Sequence, residues 1–174
     1  MRQVMSEDDL KIRISGLSNG LHTYRFSVSP VSMSLDGRFT EAVNVDAVLD
    51  RAPKQIYLKV EVKTSARVEC DRCLEEYIEQ LEASFKTIYV YDDLDGVNHP
   101  PDEVQVIAPD AVVLNLADEV VQILMLAFPL KLLCTEECRG LCPRCGVNKN
   151  SATCECKAET VDSRWQALER LLKN

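Results

Sequence analysis

The sequence lacks the features of a membrane-spanning or exported protein. Its longest apolar stretch, about residues 120–133, is interrupted by Gln122, Pro129 and Lys131 and is shorter than the ~20 residues that a membrane-spanning helix needs. The first residues turn acidic at Glu7, where a signal peptide would turn apolar. These absences predict no membrane contact and a place in the cytoplasm, where thiols stay reduced.

Basic residues are too few for a protein that coats nucleic acid or an anionic membrane by charge alone. Lys and Arg number 20 against 28 Asp and Glu, which gives a formal net charge of −8. The deficit is uneven, because residues 1–130 hold 12 basic and 22 acidic side chains, whereas residues 131–174 hold eight and six. Any contact with RNA is therefore expected to be local, with the C-terminal end as the candidate.

Recognisable catalytic motifs are also missing. The sequence contains no glycine-rich phosphate loop, no Walker motif and no nucleophile elbow. Its two histidines, His22 and His99, stand apart from any patterned nucleophile. We therefore expect neither an enzyme nor a small-molecule substrate.

Alternation of apolar and polar residues is the clearest structural signal that is present. Between Ile56 and Val68 an apolar or small residue occupies every second position, which predicts a strand with one buried face. Because the run exceeds the roughly 3–10 residues of a usual strand, we expect a bend or bulge near Thr64–Ser65. Alternation resumes after residues 70–73, which become a hairpin tip, and continues to about residue 91. Short antiparallel strands are expected in the first fifty residues.

Two helices are predicted. Residues 116–128 carry apolar side chains at helical spacing, with Asn115 as a possible cap and Pro129 as the end, which predicts a buried helix of about three turns. A terminal helix is predicted from Asp162, with Trp165 and several leucines on one face.

Eight cysteines fall into four close pairs and leave none single. Their frequency is below the about 8–10% of disulfide-built secreted domains, so in a reducing compartment metal binding is favoured. Zinc takes four thiolates in a tetrahedron, and two cysteines close together on a tight turn can both reach one ion. The pairs are Cys70 with Cys73, Cys134 with Cys138, Cys142 with Cys145, and Cys154 with Cys156.

Two ways of sharing two zinc ions among these pairs are open. In the first, the pairs 142/145 and 154/156 close one site locally, and the pairs 70/73 and 134/138 form a second site. In the alternative, the pairs 70/73 and 142/145 share one ion and the remaining pairs share the other. The first is favoured because the two C-terminal pairs can close without help. In residues 142–146, Cys-Pro-Arg-Cys-Gly, proline presets the turn and glycine accepts a positive φ, as in a zinc knuckle.

Three other cysteine chemistries fit less well. A redox pair is typical of a helix N-terminus in a βαβ unit, whereas Cys70 ends a predicted antiparallel strand. Neither group of four matches the compact spacings of iron–sulfur proteins. A catalytic zinc keeps one coordination position open, which four cysteines would fill. We therefore expect two structural zinc ions.

The expected fold is α+β, in two parts. Residues 1–130 would form a body in which an antiparallel sheet packs on the buried helix. Residues 131–174 would form a cysteine-rich, zinc-ribbon-like module with the terminal helix.

Five cations are candidate contacts to RNA or another partner. Since each zinc with four thiolates carries a formal charge of −2, these cations either offset thiolate charge or face a phosphate backbone. They are Arg72, Arg139, Arg144 and Lys149, within or beside the cysteine pairs, and Arg164, at the start of the terminal helix.

Four segments carry a further signal: residues 70–75 (Cys-Asp-Arg-Cys-Leu-Glu), residues 124–134 around Phe128-Pro129, residues 138–156 with seven of their positions Cys or Asn, and residues 162–164. Together they resemble the YceD family, also called large ribosomal RNA subunit accumulation protein. The resemblance extends over about residues 50–172 and departs from the common pattern at Gln122, Lys149 and Ser163.

The resemblance implies a non-enzymatic cytoplasmic factor that is needed for large-subunit ribosomal RNA to accumulate. Some relatives lack the C-terminal cysteine block, which implies that Cys70, Cys73, Cys134 and Cys138 form an independent site. No oligomeric state is implied.

Three functions follow as hypotheses. The first is a ribosome-biogenesis factor in which zinc shapes a surface for large-subunit rRNA, its precursor or a large-subunit ribosomal protein. The second is an acidic adaptor that holds a basic ribosomal protein, with zinc only structural. The third is a thiol redox protein.

Overall fold

A computed structural model describes residues 10–92, 100 and 103–156. Its elements in chain order are β1 (Lys11–Arg13), β2 (Gly20–Val28), β3 (Val43–Arg51), β4 (Gln55–Glu69), β5 (Glu76–Val90), β6 (Val104–Val106), β7 (Val113–Asn115) and α1 (Ala117–Leu126). The architecture is therefore mixed α+β. The predicted terminal helix and Arg164 lie outside the described residues. None of the helices in the described ranges is both long and apolar enough to cross a membrane.

Five strands form one sheet in the order β2-β3-β4-β5-β6, and β1 pairs with β7 in a second, two-stranded sheet. All pairings are antiparallel except that of β5 with β6, which is parallel. The prediction of an antiparallel sheet is thus corrected at one edge. The chain between Val90 and Val104 is long enough for the crossover of about a dozen residues that a parallel pair requires.

The β4–β5 hairpin carries the cysteine pair 70/73 at its tip. Its register runs from Gln55 opposite Val90 to Glu69 opposite Glu76 without a slip, so the bulge predicted in β4 is absent from this pairing. Strand β3 accompanies β4 only as far as Lys63. The last six residues of β4 therefore extend about 20 Å beyond that pairing, with β5 as their continuous partner.

The main core lies on one face of the large sheet. The alternation predicted in β4 is confirmed, since its even-numbered apolar residues are buried while Glu61 and Lys63 are exposed. Strands β1, β2, β3 and β7 and helix α1 bury residues in the same cluster. The largest fully buried members include Ile12, Leu49, Ile56, Leu58, Val60, Val62, Leu116 and Leu124.

Helix α1 is amphipathic and only partly buried. Val120 and Leu124 lie in the core, but Leu126 is 79% exposed and Met125 44%. The predicted buried helix is therefore corrected to one that contributes a single face to the core. The N-cap is Leu116 and not the predicted Asn115, although Asn115 Oδ1 accepts a hydrogen bond from the backbone N–H of Ala117 at 3.2 Å.

A second apolar cluster supports the projecting half of the hairpin. Phe39, Ala66, Val68 and Leu81 are buried there, and Phe128 packs against them. The Phe39 and Phe128 rings meet edge to face at 5.7 Å, and the Arg38 guanidinium lies 4.7 Å from the centre of the Phe128 ring. This packing holds the chain after α1 along the hairpin and leads it toward the tip.

Candidate metal centres

The first cysteine group joins the hairpin tip to the chain after α1. The tip is a tight turn, in which the N–H of Leu74 donates to the Cys70 carbonyl oxygen at 2.9 Å. The backbone N–H of Asp71 donates to the Leu132 carbonyl, and the N–H of Leu132 donates to Asp71 Oδ2, both at 2.8 Å. This reciprocal pair fixes the following segment so that Cys134 reaches the tip.

The sulfur atoms of this group have the spacing of a tetrahedral site. Cys70, Cys73, Cys134 and Cys138 place all four Sγ atoms within 4.8 Å of one another. The Cys70–Cys138 Sγ distance is 3.8 Å and the Cys73–Cys134 distance is 3.6 Å. A tetrahedron with Zn–S bonds of ~2.3 Å has S–S edges of about 3.8 Å, whereas a disulfide bond is about 2.05 Å long. The arrangement therefore fits zinc, and all eight cysteines are free thiols.

The second group is Cys142, Cys145, Cys154 and Cys156, whose sulfur atoms also lie within 4.8 Å of one another. The structure thus assembles the cysteines as in the first of the two groupings considered from the sequence. Burial differs between the groups. In the first, three cysteines are buried and Cys134 is half-buried, whereas Cys145 and Cys156 of the second are exposed.

Hydrogen bonds join the two groups into one unit. The backbone N–H of Leu141 donates to the Arg72 carbonyl oxygen at 2.9 Å, and Asn148 Nδ2 donates to Glu75 Oε1 at 2.8 Å. Gly140, at φ +69°, lies so close to the tip that an added Cβ would be 2.8 Å from the Arg72 carbonyl oxygen. The second group is therefore seated directly on the turn that carries the first.

The side chain of Asn150, in the loop of the second cysteine group, contacts a cysteine of the first group. Its Nδ2 donates to Cys138 Sγ at 3.2 Å, while its Oδ1 accepts the N–H of Arg139 at 2.8 Å. A neutral donor of this kind stabilises a thiolate without adding charge. This role of Asn150 could not be predicted from the sequence, because asparagine in a cysteine-rich loop is equally typical of a simple turn.

Each Cys-x-x-Cys turn stabilises the thiolate of its first cysteine. Burial acts to raise the pKa of Cys70, but backbone N–H groups of its own turn and of Cys134 outweigh this effect and lower the pKa to about 6. Backbone N–H groups of the second turn likewise lower the pKa of Cys142 to about 6. Both turns are therefore built to hold a charged sulfur.

Four other cysteines have a raised pKa and resist ionisation in the absence of a cation: Cys73, Cys134, Cys154 and Cys156. The N–H of Glu75 acts to lower the pKa of Cys73, but burial and the neighbouring thiols of its group raise it to about 12. The thiol of Cys145, together with burial, raises the pKa of Cys156 to about 12. Four thiolates this close cannot form together at neutral pH unless a cation lies among them.

The predicted cations differ in burial and in their contacts. The Arg72 guanidinium donates to the carbonyl oxygens of Cys138 at 2.8 Å and Glu136 at 3.4 Å, across the first group. Arg139 and Arg144 are exposed and Lys149 is half-buried. All three arginines are exposed, and Arg72 in addition contributes two hydrogen bonds to the local structure.

The chain matches known proteins over most of its length. A family model described as large ribosomal RNA subunit accumulation protein YceD matches residues 58–172. The uncharacterized protein YlbN of Bacillus subtilis is 25% identical over 142 residues, which cover 81% of this chain and 80% of that protein. Uncharacterized proteins of Mycobacterium tuberculosis and Mycobacterium bovis are 28% identical over 105 residues, which cover 60% of this chain. The chain spans about half the length of these mycobacterial relatives, at 49%. No solved structure matches the chain.

Proposed function

This chain belongs to the YceD family, and we propose that it is a non-enzymatic, cytoplasmic ribosome-biogenesis factor that supports the accumulation of large-subunit ribosomal RNA. The observation that carries the proposal is the family match over residues 58–172, whose description names that role. The matched range contains the projecting hairpin and both cysteine groups.

Each cysteine group is proposed to hold one structural zinc ion. The ligands would be Cys70, Cys73, Cys134 and Cys138 in the first site and Cys142, Cys145, Cys154 and Cys156 in the second. The support is the sulfur spacing in both groups and the backbone N–H groups that stabilise the first thiolate of each turn. When bound, each zinc would crosslink the two cysteine pairs of its own group: the hairpin tip with residues 134–138 in the first site, and residues 142–145 with residues 154–156 in the second.

The zinc-bearing end is proposed to be the surface that meets large-subunit rRNA, its precursor or a large-subunit ribosomal protein. Arg72, Arg139 and Arg144 are its exposed cations, and half-buried Lys149 lies in the loop between Cys145 and Cys154. Arg164 remains a candidate outside the described residues. The division into a body of residues 1–130 and a zinc module of residues 131–174 is likewise a proposal.

A second candidate function is the acidic adaptor that binds a basic ribosomal protein, with zinc only structural. The observation that favours it is the position of Arg72, whose guanidinium is hydrogen-bonded to two carbonyl oxygens of the first cysteine group. Acidic side chains then dominate the exposed charge of the hairpin tip.

Deletion of the gene tests the proposed role. We expect the ratio of large-subunit to small-subunit rRNA to fall in the deleted strain, and a plasmid copy of the wild-type gene to restore it. Cys73→Ser should fail to restore it, whereas Ser84→Ala, on the exposed face of β5, should restore it as well as wild type does. An unchanged rRNA ratio after deletion would contradict the proposed role.

The two candidate partners are separated by Arg139→Gln combined with Arg144→Gln. If rRNA is the direct partner, this double variant weakens binding to protein-free large-subunit rRNA and makes it less sensitive to salt. If a basic ribosomal protein is the partner, the double variant still binds protein extracted from large subunits.

A further inference from the structure

The two Cys-x-x-Cys turns share one hydrogen-bonding pattern and can be compared position by position. In each turn the residue after the second cysteine donates its N–H to the carbonyl oxygen of the first cysteine, at 2.9 Å. In each turn the backbone N–H of the first cysteine donates to the carbonyl oxygen five residues later. This hydrogen bond is 3.0 Å from Cys70 to Glu75 and 2.8 Å from Cys142 to Val147. The residue after the second cysteine has a positive φ in both turns, +60° and +73°.

That shared position is Gly146 in one turn and Leu74 in the other. Glycine is the residue that adopts a positive φ without strain, whereas the Cβ of leucine crowds the backbone there. Leu74 does not offset this strain by burial, since its side chain is 55% exposed and belongs to none of the buried clusters of the described residues. Folding alone therefore favours glycine at position 74.

We propose that Leu74 is the apolar contact through which the hairpin tip binds a basic protein. The inference rests on the proposed function and specifies the class of its partner. Backbone strain clusters at functional sites, and an exposed apolar side chain gains free energy when a partner protein covers it. Leucine offers RNA neither a positive charge nor a hydrogen bond, and these are the groups that hold a phosphate backbone. Ile78, four residues further along the chain, is 46% exposed and adds apolar surface to the same arm of the hairpin.

The charge of the surface around Leu74 indicates which kind of partner protein would bind there. Between positions 69 and 76 four exposed acids outnumber one exposed basic residue, Arg72, whose guanidinium also donates to carbonyl oxygens of the first cysteine group. A divalent ion with four thiolates would add a formal −2. Such a surface repels phosphate and attracts a basic polypeptide. The acids of this segment, all exposed, are Glu69, Asp71, Glu75 and Glu76.

The test replaces Leu74 by glycine, the residue at the same position of the second turn. The full, zinc-loaded chain is immobilised and incubated with total protein extracted from purified large ribosomal subunits, and separately with protein-free large-subunit rRNA. Wild type should retain at least one basic large-subunit protein. Leu74→Gly should weaken that binding about tenfold, as expected for a central apolar contact. Its melting temperature should equal or exceed that of wild type, because the backbone strain is relieved.

Two matched variants complete the experiment. Leu74→Met keeps the apolar side chain and should bind like wild type. Leu21→Thr removes a 72%-exposed leucine from β2, opposite Asp50 and at the end of the sheet far from the tip, and should also bind like wild type.

The inference is overturned if Leu74→Gly binds as tightly as wild type, or if wild type retains rRNA and no large-subunit protein. Failure of the proposed function has a different signature, an unchanged rRNA ratio in the deleted strain. A protein partner that binds independently of Leu74 would leave the proposed function intact and remove only the role of this residue.

Discussion

Gly140→Ala should destabilise the zinc-bearing end more than an ordinary glycine substitution does. Gly140 has φ +69°, and a Cβ there would lie 2.8 Å from the Arg72 carbonyl oxygen and 3.1 Å from Arg72 Cβ. The carbonyl cannot move freely, because it accepts the N–H of Leu141 at 2.9 Å. The added methyl group must therefore separate the two cysteine turns.

The expected cost has two parts. Alanine at a positive φ costs about 1–2 kcal/mol. Displacing the Arg72 carbonyl also disrupts its hydrogen bond with Leu141, which is worth about 1 kcal/mol. The sum, about 2–3 kcal/mol, should appear as a lower free energy of unfolding of the zinc-loaded chain in urea.

Substitutions at two other glycines distinguish the conformational cost from the cost of the close contact. Gly16 has φ +73° with nothing within 4 Å of an added Cβ, so Gly16→Ala should show the conformational cost alone. Gly37 has neither a positive φ nor a close neighbour, so Gly37→Ala should be neutral or slightly stabilising. The contact between the two turns would be refuted if Gly140→Ala were no more destabilising than Gly16→Ala.

Further predictions concern the two sites individually. In the zinc-loaded chain a thiol reagent should label Cys145 and Cys156 first, since these are exposed, and mass spectrometry of the labelled peptides would show the order; early labelling of buried Cys70 would contradict it. Asn150→Ala removes the donor to Cys138 Sγ and should speed release of the first ion to a chelator about tenfold, whereas Asn44→Ala on the open sheet face should leave the rate unchanged. Cys145→Ser should raise hydrogen exchange mainly beyond residue 138, and Cys73→Ser mainly in the hairpin and the segment after α1; a uniform rise over the whole chain would rule out two separate sites.

The long hairpin could be predicted because its pattern is local. One buried face per strand imposes a period of two, and the break at residues 70–73 marks the tip. Of the predicted bend or bulge, the bulge is ruled out by the continuous β4–β5 register, since a long hairpin can absorb twist along its length. The parallel strand Val104–Val106 could not be predicted, because three residues carry no period and its direction depends on the crossover that precedes it.

The cysteine groups were predictable only in part. The pairs 142/145 and 154/156 are close enough in sequence to form one site, and this favoured the first of the two groupings. The structure brings the sulfur atoms together in that grouping. The contacts of Gly140 with Arg72 and of Asn150 with Cys138 depend on how two distant turns are seated together, which spacing does not specify. The positive φ of Leu74 was likewise hidden, because leucine is not the residue that normally indicates it.

The central claim is that each group of four cysteines binds one divalent ion. One ion joins the hairpin tip to residues 134–138, and the other joins residues 142–145 to residues 154–156. Native mass spectrometry of the full chain, with the bound element identified by emission spectroscopy, tests it most directly. The claim predicts that the chain is heavier than its reduced, metal-free form by two zinc ions less four protons, because each Zn²⁺ replaces two protons at constant overall charge, and that it contains no disulfide bonds. A chain that carries no metal, or one whose cysteines are paired in disulfides, would contradict it.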